Sequence, residues 1–314
     1  MLAIVIPYYK LTFFEATLQS LANQTDKRFK VYIGDDASPE DPLALLKKYQ
    51  GKFDFEYKRF EENLGSISLV KQWERCIALF GNEKWLMILG DDDYISNNYI
   101  EEFYKHNDEI EKLEVNVIRF ATQVLEPSGK LSKLFTHPKI ENSTDFLFRK
   151  FFEASRGSLT EQIFRREAYL KHGFRNFPLG WGVDNFAWLD FTEFGIIYTI
   201  NNSTAYIRMS DENISRGGYE EEIKKATKYL YFTLIIKKYL KKFNKKQRLS
   251  LLLYYEQLAY NLNKASIVFW ITLCKCFFLE NEIFQIIKFT RRVIIHLQKK
   301  RSLKPPYRVD SFLK

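Results

Sequence analysis

Three consecutive carboxylates, Asp91, Asp92 and Asp93, follow the apolar run 85–89 and a break at Gly90. Adjacent negative charges raise one another's pKa values. A hard divalent cation, Mg²⁺ or Mn²⁺, relieves that repulsion through oxygen ligands. Such ions commonly combine one or two carboxylates with substrate phosphates. A second acidic pair, Asp35 and Asp36, follows the apolar run 29–33. Taken alone, the triple Asp also fits a solvated turn capping a helix that starts near Asn97. The elements around it have to decide.

Residues 2–7, 29–33, 53–60 and 85–89 read as strands, and 13–22, 43–49 and 67–80 as helices. Asp41 with Pro42 suits the start of the second helix, and Ser66 suits an N-cap for the third. This β-α-β-α-β-α-β order with short connections predicts a parallel sheet with right-handed crossovers. A further strand covers 115–125. In such sheets ligands bind where the strand ends gather, so both acidic groups would meet in one crevice. Two acidic groups on one rim disfavour a bare phosphate. They favour a metal-bound diphosphate, with a carboxylate left for a base or a ribose hydroxyl. No G-x-G-x-x-G follows the first strand and no G-x-x-x-x-G-K-[ST] is present, which argues against dinucleotide-binding and P-loop folds. Later come a short strand, 161–164, a helix, 166–171, a Gly- and aromatic-rich loop, 177–185, a helix, 186–194, and a strand, 195–200.

The chain has 314 residues, long enough for one large domain and an appendage. Cys76, Cys274 and Cys276 show no metal-ligand spacing and read as buried, reduced thiols. The start of the chain lacks the basic region of a signal peptide. Charge is divided unevenly. From Tyr219 onward there are 21 Lys and Arg against 7 Asp and Glu, so the tail carries +14 and the remainder −5. Glycine ends at Gly217-Gly218 and proline returns only at Pro305-Pro306. The expected boundary therefore follows residue 218.

The ordered motifs I-V-I-P-Y-Y-K, V-Y-I-G-D-D-A-S, E-N-L-G-S and I-L-G-D-D-D-Y together resemble glycosyltransferase family 2. The resemblance implies an α/β GT-A fold over 1–218, with a nucleotide-sugar half, 1–125, and an acceptor half, 126–218. It implies a nucleotide-sugar donor, by family habit a UDP-sugar, and a Mn²⁺ or Mg²⁺ cofactor. Pro7, Tyr8 and Tyr9 would border the base, with strand-end packing the plain alternative. Asp35 would accept from the base imide, with Asp36 beside it; an Asx-type turn before Ser38 is the alternative. Asn63 and Gly65 would line the nucleotide pocket, and Lys71 would approach the diphosphate.

The metal motif can be read in two registers. If Tyr94 matches the aromatic that follows the family motif, Gly90 takes its first Asp position and Asp92 its last; read directly, the pair is Asp91 and Asp93. Asp92 or Asp93 is the expected ligand, with Asp91 near the ribose. The family's acidic pair in the acceptor half corresponds to Val183-Asp184, which leaves Asp184 as the general base, as a helix N-cap, or as both. Trp181 would stack on an acceptor sugar or serve as a core residue. Arg208 and Arg216 would meet the diphosphate. The family often places a His after this stretch; Ser210 or Asp211 stands there, making Asp211 a candidate third ligand. Gly217 and Gly218 would serve as hinges of a closing loop. The implied chemistry is inverting transfer of one sugar to a saccharide or lipid-linked acceptor, as in capsule or lipopolysaccharide synthesis.

Residues 219–314 read as basic amphipathic helices, with Ile235, Ile236, Tyr239, Leu240 and Phe243 interleaved with lysines. They suit peripheral attachment to an anionic membrane at its cytoplasmic face, or a helical subdomain with a solvated basic side. The apolar run 266–279 is too short to span a bilayer. Two other classes remain. One is nucleic-acid binding by the tail, opposed by the acidic remainder and by the lack of a motif. The other is a catalytically silent GT-A scaffold.

Overall fold

The computed structural model describes residues 1–210 and 221–302. Asp211, Arg216, Gly217 and Gly218 lie outside the described residues. The chain divides into two compact units, Met1–Lys224 and Lys225–Lys314.

The first unit is built on one mixed sheet. Its strands are β1 (Leu2–Tyr8), β2 (Phe29–Asp35), β3 (Asp54–Arg59), β4 (Trp85–Ile88), β5 (Tyr94–Ile95), β6 (Val117–Leu125), β7 (Ile140–Asn142), β8 (Gln162–Arg165) and β9 (Ile196–Arg208). The order is β3-β2-β1-β4-β8-β6-β9-β5, with β7 also paired to β9. The first four strands are parallel, as the β-α-β rhythm requires. From β8 onward parallel and antiparallel pairings mix.

Residues of β1 alternate between the two faces. Leu2, Ile4 and Ile6 join one buried cluster, and Ala3 and Val5 another. A strand covered on both sides has to be apolar at every position, which explains its unbroken hydrophobic run.

The crossover helices are α1 (Phe14–Ala22), α2 (Leu43–Lys47) and α3 (Leu69–Ile77). The N-cap of α3 is Ser68, whose hydroxyl accepts from Lys71 N, and not Ser66 as expected. Ser66 instead sits in a tight turn, bonded to Asn63. After β4 come α4 (Tyr99–Lys105) and α5 (Asn107–Lys112); α6 (Ser143–Phe152) follows β7, α7 (Arg166–His172) follows β8, and α8 (Val183–Phe191) precedes β9. Strand β9 runs eight residues beyond the expected end of 195–200, with 201–203 bulged out: Phe120 pairs with Ile200, yet Ala121 pairs with Thr204.

The second unit is helical: α9 begins in the first unit at Glu221 and ends at Leu234, followed by α10 (Lys245–Asn261), α11 (Ile267–Leu279) and α12 (Ile283–Ser302). Asn244 and Gln247 form a reciprocal capping box at the start of α10. Ile235, Ile236 and Phe243 are buried. The stretch 235–242 is a π-helical segment followed by a 3₁₀ turn, with Lys237, Lys238, Lys241 and Lys242 exposed on its outer side. Among the described residues no helix is long and apolar enough to cross a membrane.

Candidate active site

Strands β1, β2 and β4 run parallel, so their C-terminal ends open on one edge of the sheet. A cleft of about 950 Å³ lies there. Pro7, Tyr8, Tyr9, Asp36, Asn63, Gly65, Asp91, Asp92, Asp93, Trp181 and Asp184 all line it. Both halves of the first unit therefore contribute to one site.

The acidic loop after β4 is braced from three sides. Asp91 Oδ2 accepts from Tyr9 N at 2.7 Å and Lys10 N at 2.8 Å, joining it to the exit of β1. Asp93 is buried; its Oδ2 accepts from Thr160 Oγ1 at 2.5 Å and its Oδ1 from Arg208 N at 2.9 Å. The Thr17 hydroxyl donates to the carbonyls of Asp91 and Asp93. Asp92 differs: among the described residues no other residue donates to its carboxylate. Burial pushes the Asp91 carboxyl up to about 6. Burial, and then the charge of Asp92, pushes Asp93 up to about 7. Burial raises Asp92 as well. Gly90 makes this crowding possible, since a Cβ there would sit 2.9 Å from Asp92 Oδ1 and 3.2 Å from Asp93 Oδ2.

Asp36 organises the turn after β3. Its oxygens accept from Leu64 N at 2.7 Å and Gly65 N at 2.8 Å, and Arg75 Nη2 pairs with it. Gly65 is required by close approach: a Cβ would meet Asp36 Oδ2 at 2.4 Å. Tyr8 is fully buried against Phe14, with its hydroxyl donating to Glu40 O. Tyr9 is 36% exposed, so of the two it presents the ring to the cleft.

Three expected residues do not line the cleft. Asp35 is fully buried, and Ser38 N, Tyr57 Oη and Arg59 Nη1 fill its carboxylate. Lys71 points to solvent from α3. Arg208 serves the acidic loop instead, through its backbone N to Asp93 and its Nε to Asp92 O at 3.0 Å.

Across the cleft, the 177–185 loop enters α8 through Gly182, whose φ of 76° marks a left-handed N-cap. Asp184 is therefore inside the first turn and is not the N-cap. Its Oδ2 accepts from Lys150 Nζ at 2.8 Å, and both side chains are less than one-fifth exposed. Trp181 is half-buried on the cleft wall.

Among the lining residues that were not anticipated are Trp73, Lys150, Arg156 and Asn185. Arg156 makes no ion pair among the described residues, and its charge acts on Asp93. Asn185 Oδ1 is buried without a hydrogen-bond partner among them. Lys150 belongs to α6, which had a readable signal. Asn142-Ser143-Thr144-Asp145 is a helix start, and Arg149-Lys150 suits a helix end.

The glycosyl transferase family 2 profile matches residues 3–173, just over half of the chain. The chain belongs to glycosyl transferase family 2. Solved structures extend the likeness further along it. The crystal structure of S. aureus TarS 1–349 in complex with UDP-GlcNAc is 14% identical and covers 88% of this chain and 79% of its own, at a TM-score of 0.62. TarS 1–349 in complex with UDP is 16% identical at a TM-score of 0.58. Against the longer TarS chain the same 88% of this family member spans 47% of that protein, at 15% identity and a TM-score of 0.59. At such identities the likeness establishes the shared GT-A fold. No curated protein sequence matches.

Proposed function

We propose that this family 2 enzyme transfers one sugar, with inversion, from a nucleotide-sugar donor to a hydroxyl of a saccharide or lipid-linked saccharide in surface-polysaccharide synthesis. The observation that carries it is the shared cleft: an acidic loop with one unengaged carboxylate, Asp92, and a second carboxylate, Asp184, held by Lys150. TarS, which shares the fold, is known with UDP and UDP-GlcNAc bound. A UDP-sugar is therefore the first donor to test.

Tyr9 offers an aromatic face to the base, and Asp36 fixes the turn carrying Asn63 and Gly65 beside it. Asp91 fixes the β1 exit near the ribose. A divalent cation fits Asp92, whose carboxylate is a hard oxygen ligand engaged by no other residue among those described, together with the donor diphosphate. Asp93 orients this loop, since both its oxygens already accept hydrogen bonds. When bound, the cation neutralises charge on the departing diphosphate. Arg156 and Lys10 add positive charge to the same cleft. Asp184 takes the proton from the acceptor hydroxyl as its oxygen bonds to the anomeric carbon and the carbon–diphosphate bond breaks on the opposite face. Lys150 keeps the Asp184 carboxylate aimed. The +14 tail supports work at an anionic membrane face, where a lipid-linked acceptor would reside.

Calorimetric titration with UDP, GDP, CDP and dTDP, each with and without Mn²⁺, tests this reading. The expected outcome is that one nucleotide binds in a metal-dependent manner and that Asp92→Ala abolishes that dependence. No binding of any of the four by folded protein would overturn the donor site and favour a silent scaffold.

A further inference from the structure

The second unit carries an apolar surface that its own helices leave open. On α11, Ile267, Val268, Phe278 and Leu279 are 70–74% exposed; on α12, Ile283 and Phe284 are 71% and 67% exposed. At about 100° per residue, the exposed positions of α11, with Lys275 among them, fall within a sector of about 120°. The opposite side of α11 supplies buried Phe269, Leu273 and Phe277. This helix is therefore apolar all round, with one side spent on the unit's core and the other unspent. Soluble surfaces seldom leave a contiguous apolar stripe of this kind without a partner.

The charges on this hairpin are one-sided. The two acids at its turn are both neutralised by α10: Glu280 pairs with Arg248 at 2.6 Å, and Glu282 with Lys245 at 3.1 Å. Glu256 is likewise taken by Arg292 at 2.7 Å. Lys275, Lys288 and Arg291 remain exposed beside the stripe. Lys288 Nζ lies 4.7 Å over the ring of Phe284, so cation and apolar side chain share one patch. Apolar side chains flanked by uncompensated cations complement an anionic lipid surface: the rings and aliphatic chains enter the acyl boundary while the cations meet headgroups. A second protein copy would match the apolar stripe but would bring like charges together.

We propose that the outer faces of α11 and α12 are the membrane-docking surface of this protein, lying in the interface of an anionic bilayer without crossing it. This rests on the membrane association proposed above and names the surface responsible.

Flotation of the full chain with vesicles tests it, comparing phosphatidylcholine alone with phosphatidylcholine containing phosphatidylglycerol. Wild type is expected to float with the anionic vesicles. Phe278→Glu/Phe284→Glu, checked by circular dichroism and a thermal melt, is expected to lower that partitioning about tenfold or more, because two charges replace two inserting rings. A control removes charge elsewhere in the unit, at Lys237, Lys238, Lys241 and Lys242, each to Gln, and is expected to lower binding less. If wild type floats and the Phe variant floats equally well, the face assignment falls while membrane association stands. If wild type does not float, both fall. If light scattering then finds a dimer that the Phe variant dissolves, the stripe belongs to a second copy. Nucleotide titration reads the donor cleft independently of each outcome.

Discussion

Single positions in this site are fixed by space as much as by charge. Gly65 lets its own N–H reach Asp36, where any side chain would collide with the carboxylate at 2.4 Å. Gly65→Ala must push Asp36 away and loosen the Leu64 and Gly65 hydrogen bonds together. We expect a loss of about 1–3 kcal/mol of stability and about tenfold weaker nucleotide binding by calorimetry, without loss of metal dependence. Binding equal to wild type would remove the Asp36 turn from the donor pocket. The same spatial logic bears on the acidic loop. In the sequence the three Asp residues are equivalent, and two registers suit them. They separate only in three dimensions: Asp91 reaches β1, Asp93 reaches Thr160 and Arg208, and Asp92 is left facing the cleft. Thr160 lies 67 residues from Asp93, so no local pattern could have sorted them. Asp35 and Asp36 likewise look interchangeable in sequence, yet only Asp36 faces the cleft. Asp35 is the last residue of β2, and Asp36 follows where the chain leaves the strand.

The elements of residues 1–89 were legible because each obeys a strong period: three largely buried strands, β1, β2 and β4, and the alternating β3, separated by helices at short spacing. Residues 94–208 were less legible for an identifiable reason. Strands β5 and β7 have two and three residues, too short for any period to register. Helix α6, which carries Lys150, was missed although its start at Asn142-Ser143-Thr144-Asp145 and its basic last turn could have been read. A buried ion network fixes that helix. Glu141 on β7 accepts from Arg119 Nη2 at 2.8 Å and from Arg149 Nε of α6 at 2.5 Å, while Arg149 Nη2 lies 2.9 Å from His137 Nδ1.

Burial, followed by the charges of Arg119 and Arg149, lowers His137 to about 3 in the folded state. The unfolded chain takes up this proton near pH 6.5, whereas the folded chain refuses it. Stability must therefore fall as pH drops from about 6.5 toward 3, by up to about 1.4 kcal/mol per pH unit from this group. His137→Gln retains an acceptor for Arg149 and removes the titration. Urea unfolding at pH 7.5 and pH 5 should show wild type losing more stability than the variant over that interval, by about 1–2 kcal/mol. Parallel losses would mean that the ring is not held neutral beside the two arginines.

At the scale of the whole molecule, the two units divide the chemistry as they divide the charge. The first holds every candidate donor and acceptor residue within the described chain and is acidic on balance; the second holds the basic surplus and the open apolar face. Ligand binding should consequently stabilise one unit selectively. Anything that binds the folded state alone adds about 2.7 kcal/mol at a concentration 100 times its Kd. For a unit of roughly 200 residues, each kcal/mol moves Tm by about 2–4 °C. Nucleotide with Mn²⁺ should thus raise the unfolding transition of Met1–Lys224 by about 5–10 °C in scanning calorimetry, leaving a transition of the helical unit in place if the two unfold separately. Removing the metal with EDTA should erase most of that rise, and Asp92→Ala should behave like the EDTA-treated enzyme. A rise that survives both EDTA and Asp92→Ala would show that the nucleotide is held without a cation. Neutralising the leaving diphosphate would then fall to the basic side chains that line the cleft, Arg156 among them.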